Sequence, residues 1–102
     1  MRKIINGKMY NTETAKGLVH YDNGLSYTDF NYWSATLYKK RNGEFFEEGT
    51  GGANTVFGHS CGNNTRCGGS KIIPLTIEEA KKFVEDHGST DEYIKIFGEP
   101  EE

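Results

Sequence analysis

The sequence predicts an α+β fold: a small antiparallel β-sheet followed by a C-terminal helix, a shorter second helix, and a long Gly-rich loop between sheet and helices. Three observations carry this. Residues 33–40 alternate apolar and polar with β-branched and aromatic side chains, the mark of a half-buried strand. Thr76-Ile77-Glu78-Glu79 has the spacing of a helix capping box. Residues 49–70 carry seven glycines and no apolar period at all.

In chain order, Asn6-Gly7 between Ile4-Ile5 and Met9-Tyr10 reads as a hairpin turn, because both turn positions need positive φ. Thr12 to Lys16 reads as one helical turn capped by Asn11 or Thr12 and ended by Gly17. Leu18 to Asp22 is a strand closed by Asn23-Gly24, and residues 25–31 carry no clear signal. In Trp33 to Lys40, Trp33, Ala35 and Leu37 share one face, and Ser34, Thr36 and Tyr38 share the other. A three-residue turn, Arg41-Asn42-Gly43, leads into Glu44 to Glu48 and sets Tyr38 opposite Phe46. Lys71 to Ile73 is a last strand ended by Pro74. The helix from Thr76 presents Ile77, Ala80 and Val84 and stops at Gly88. Ser89 to Glu92 repeats the capping pattern for a helix through Phe97.

At 102 residues the chain supports one domain, residues 1–102, whose thin stability margin makes a staple useful. One Trp, six Tyr and six Phe indicate a core of few, large rings. The apolar pair near the amino terminus is too short for a signal-peptide core, and no run reaches membrane-spanning length, so a cytoplasmic protein is expected. In that compartment two cysteines point to metal, redox chemistry or burial before a disulfide.

The densest chemistry lies in Phe57 to Gly69. His59 and Cys61 are two residues apart, so extended backbone projects both to one side, and Gly62-Asn63-Asn64 lets the chain return Cys67. With His20 as fourth ligand, and His87 and Asp22 as weaker ones, this is the donor chemistry of a structural Zn2+ site. Two free thiols beside an unrelated histidine, and a Cys61–Cys67 disulfide, are the alternatives. No His-Glu-x-x-His or Pro-Cys-x-x-Cys pattern occurs, and no third group orients a Cys–His dyad, so an enzyme is not expected. Gly49-Thr50-Gly51-Gly52 lacks the Lys-Ser/Thr that a phosphate-binding loop needs.

Charge is uneven. Residues 76–102 hold nine acidic residues against three lysines, while the chain as a whole carries −3. Glu78, Glu79, Glu85, Asp86, Asp91 and Glu92 are therefore the candidate contacts for a basic partner, with a merely solvated acidic end as the plain alternative. Trp33 to Arg41 mixes rings with lysines in the manner of a single-strand-binding platform, although the acidic total weighs against direct nucleic-acid contact.

The segments KIINGKMYNTETA (3–15), TLYKKRNGEFF (36–46), CGNNTRCGGSKIIPLTIEEAKKF (61–83) and DEYIKIFGE (91–99) carry a resemblance across most of the chain. It resembles small proteins of phages and other mobile elements of Gram-positive bacteria, similar to type II-A anti-CRISPR inhibitors of Cas9. It departs from them at Tyr32-Trp33-Ser34-Ala35, where those proteins carry acidic residues. The resemblance implies stoichiometric binding to Cas9, or another large basic nucleic-acid-binding protein, that blocks target DNA loading or guide assembly in a bacterial host.

Overall fold

A computed structural model describes residues 1–101; Glu102, counted above in the acidic end, lies outside the described residues. The strands are β1 (Arg2–Ile5), β2 (Lys8–Asn11), β3 (Lys16–Asp22), β4 (Trp33–Lys39), β5 (Phe45–Gly51), β6 (His59–Gly62), β7 (Thr65–Cys67) and β8 (Gly69–Leu75), followed by helices α1 (Ile77–His87) and α2 (Thr90–Phe97). The architecture is α+β. An antiparallel four-stranded sheet has the order β3-β4-β5-β8, and β1-β2 and β6-β7 are separate two-stranded hairpins.

Alternation along β4 and β5 divides the core. One sheet face packs Val19, Ala35, Leu37 and Phe45 against Ala80, Phe83 and Val84 of α1, with Phe57 sealing one end. The other face is covered by the amino-terminal hairpin, where Tyr10 meets Phe46 and Ile72. Burying Phe45 to one side and Phe46 to the other needs the register Tyr38↔Phe46, which the ladder shows. Its closing pair has the Lys40 amide donating to the Glu44 carbonyl at 2.8 Å, as the three-residue turn requires.

Local chemistry explains the other boundaries. Asn6 and Gly7 take φ of 51° and 77° and close β1 onto β2 as a tight hairpin. Both capping boxes form: Glu79 N–H donates to Thr76 Oγ1 at 3.1 Å, and Glu92 N–H to Ser89 Oγ at 3.1 Å. Pro74 lies inside β8 rather than ending it, because β8 is an edge strand and its outer side needs no amide donor.

The two stretches that connect these strands differ in kind. Residues 12–15 make a single turn with the expected cap: the Ala15 amide donates to the Asn11 carbonyl at 3.1 Å, Asn11 Oδ1 takes the Glu13 amide at 2.9 Å, and β3 follows at Lys16. The stretch 49–70 is not one long loop: β5 runs to Gly51, β8 begins at Gly69 opposite it, and the β6-β7 hairpin stands between. Among the described residues no helix is long and apolar enough to cross a membrane.

Candidate functional site

The structure overturns the zinc reading, and with it the zinc-stapled loop. Cys61 and Cys67 face each other across the β6-β7 hairpin, Cα atoms 5.9 Å apart, and are joined in a disulfide. Disulfide sulfur is not the thiolate that zinc requires. His59 is the register partner of Cys67, yet His20 lies on β3 of the main sheet with Nδ1 2.8 Å from Thr36 Oγ1. Asp22 accepts from the Gly24 amide at 2.7 Å, and His87 packs among rings. Among the described residues no group of three His, Cys, Asp or Glu side chains is placed to hold a metal ion. The chain does not fit Zn2+, and the staple of this hairpin is covalent.

A concavity lies along α1. A groove of about 790 Å³ runs between α1 and the segment 54–57. Its lining combines Trp33, Phe57, Leu75 and Phe83 with the carboxylates of Glu47, Glu78, Glu79 and Asp86. Each wall has a sequence cause. β4 alternation brings Trp33 to the helix side, and the capping box at Thr76 starts α1 so that Phe83 meets the sheet. Phe57 reaches the sheet only because residue 49 is Gly: a Cβ there would collide with the Phe57 ring and sit 2.9 Å from the Ser34 carbonyl oxygen. At one end His87 closes a cluster of rings, its centroid 4.1 Å from Tyr21, 5.3 Å from Trp33 and 5.2 Å from Phe83. Val56, 64 % exposed, lies on the groove wall in water.

The electrostatics are one-sided. Glu47 lies half-buried in the groove, and burial, reinforced by the nearby Glu79 carboxylate, holds its pKa above the ordinary value. The only lysine or arginine in the lining is Lys82, and its ammonium is 3.0 Å from Asp86 of the next turn. Of the six acids expected to contact a partner, Glu78, Glu79 and Asp86 come together here. Glu85 lines a separate depression beside Val84 and Tyr93. Asp91 belongs to the first turn of α2, and Glu92 Oε1 accepts the Ser89 amide at 2.8 Å. Glu79 likewise serves its own cap, accepting the Thr76 amide at 2.9 Å.

Sequence reasoning passed over Glu47, although a signal existed. The register Tyr38↔Phe46 makes Leu37 the partner of Glu47, so Glu47 had to share the apolar face. In the aromatic strand, Tyr38 stacks on Phe46 with centroids 5.2 Å apart, and the Lys40 ammonium lies 3.7 Å from the centre of the Tyr10 ring. Those side chains are engaged inside the protein, which leaves Trp33 as the strand's one ring facing a groove. Searches against protein families, curated proteins and solved structures found no match to this chain.

Proposed function

We propose that this protein is a stoichiometric protein-binding inhibitor that docks a basic partner along α1 and acts without turnover. The observation that carries the reading is the groove: four carboxylates over an aromatic floor, with its one lysine already paired. Rings supply large contact area at low entropic cost, and the acidic rim steers and orients a cationic surface. The resemblance to type II-A anti-CRISPR proteins makes Cas9 the partner, and the cytoplasm of a bacterial host the place of action. A guide-loaded nuclease presents basic channels of the complementary sign. In that reducing compartment the Cys61–Cys67 link is open to reduction, but neither cysteine lines the groove, so binding is independent of it.

Trp33 is the chain's single tryptophan and lines the groove, so its fluorescence reports occupancy. Titration with purified Cas9, without guide, with guide and with guide plus target, is expected to give a saturable one-to-one change in at least one state. Association should weaken with salt, because the contact is between opposite charges. Absence of any change, together with no co-elution on size exclusion in all three states, rejects Cas9 as the partner.

A further inference from the structure

Another cavity, which shares no lining residue with the acidic groove, has the opposite charge. It has a volume of about 340 Å³ and opens where the last turn of α2 meets the start of β3 and the end of β4. Lys16, Lys39 and Lys95 line it together with Leu18, Ile96 and the carboxylate-bearing Glu92.

The fold accounts for these lysines only in part: the Lys39 ammonium lies 5.7 Å from the centre of the Phe45 ring, a contact that leaves its charge without a counter-ion. Lys16 and Lys39 are register partners on adjacent strands, and like charges opposite each other on a ladder are destabilising. Lys95 at the end of α2 complements the helix dipole, but it adds a third positive charge to the same cavity. None of the three belongs to an ion pair found among the described residues. Glu92, the one carboxylate in the lining, offsets only one of the three charges. In a chain of net charge −3, this is a local concentration of unneutralised cations around a recess, and it raises the local concentration of anions.

We propose that Lys16, Lys39 and Lys95 bind a phosphoryl dianion, carried either by free phosphate or by a mononucleotide. Three ammonium groups match the charge and the three terminal oxygens of a phosphoryl group better than the two oxygens of a carboxylate. The half-buried Leu18 and Ile96 give the cavity an apolar part that a nucleotide's sugar or base would cover and free phosphate would not. The site involves none of the groove residues and stands or falls separately from the inhibitor reading.

The test is thermal unfolding and calorimetric titration of the whole chain at constant ionic strength, with inorganic phosphate, a nucleoside 5′-monophosphate and a short single-stranded oligonucleotide as probes. The comparison protein carries Lys16→Gln and Lys39→Gln; both lysines are exposed, so the variant is expected to fold. Without ligand the variant should melt at or above the wild-type temperature, because a repulsion is removed. Phosphate should raise the wild-type melting temperature saturably and the variant's much less, each lost ammonium weakening binding about tenfold. Equal affinity for phosphate and mononucleotide assigns the site to free phosphate; tighter mononucleotide binding assigns it to nucleotides. Equal shifts in wild type and variant would be a general salting effect on burial and would overturn the proposal. So would the absence of binding, or binding to the oligonucleotide alone.

Discussion

Glu44 and Glu47 lie three residues apart, and their surroundings push them in opposite directions. Glu44 is held at a pKa of about 2, first by the Lys8 ammonium 2.6 Å away, then by Asn42 and Lys40. Its folded pKa is below its unfolded one, so its contribution is present above the ordinary value of 4.5 and is lost as pH falls toward 2. Because the group is exposed, solvent screening keeps that contribution small. Glu47 has the reverse sign. Its raised pKa means the folded state binds its proton more tightly, so stability falls as pH rises from 4.5 through the raised value. Glu47→Gln is therefore expected to raise the melting temperature at neutral pH, with the gain vanishing below pH 4.5, where the glutamate is itself neutral. The same variant should weaken partner binding in the Trp33 titration. A carboxylate kept at a cost to stability is what a binding site retains and a purely structural position discards. Equal melting temperatures of variant and wild type at neutral pH would remove the electrostatic account of Glu47.

At the scale of elements, the β6-β7 hairpin and the two helices differ in how they are specified. The helices are written locally: Thr76 and Ser89 each cap and are reciprocated three residues later by Glu79 and Glu92. The Asn6-Gly7 turn and the alternation of β4 are equally local, which is why these elements were legible in the sequence. The glycine-rich stretch was not, because what shapes it is the absence of side chains. Gly49 admits Phe57 to the core, and Gly51 and Gly69 let β5 and β8 close its base, none of which leaves an apolar period to read. For the site, Glu78, Glu79 and Asp86 were visible as an acidic helix, whereas Glu47 needed the ladder register and Trp33, Phe57 and Phe83 needed the packing. The zinc expectation failed for a related reason: side-chain identities suited a metal, but His20 and His59 lie on different sheets. The disulfide spans a separation of only six residues, and all of β6 is exposed. Closing so short a loop stabilises by about 2 kcal/mol at most. Cys61→Ser with Cys67→Ser should then shift the melting temperature by no more than about 16 °C. Proteolysis should become faster within residues 59–67 and nowhere else. Loss of cooperative unfolding in that variant would mean the hairpin holds the whole fold, contrary to its exposure.

At the scale of the whole molecule, one sheet serves two cores of unequal strength. The helix side is broad and continuous from Val19 to Val84, while the opposite side rests on Tyr10, Phe46 and Ile72. The radius of gyration, 14.8 Å, exceeds the roughly 13 Å of a compact 100-residue domain, as expected when hairpins project from a small sheet. The amino-terminal hairpin exposes Ile4 and Met9 outward and is tied to the sheet chiefly by Tyr10. That ring meets Phe46 edge-on at 5.5 Å and carries the Lys40 ammonium on its face. Removing it leaves Phe46 and Ile72 partly uncovered and Lys40 without its ring. Tyr10→Ala is therefore expected to cost about 3 kcal/mol, a large share of the roughly 5–15 kcal/mol that stabilises a domain of this size. The loss should also be divided unevenly. Amide exchange should accelerate first in residues 2–11, whereas Trp33, on the opposite face, should keep its native emission until global unfolding. Hydrogen exchange and fluorescence on the same variant separate the two faces: simultaneous loss of both signals at low denaturant would show that the sheet transmits the damage and that the groove depends on the amino-terminal hairpin for its shape.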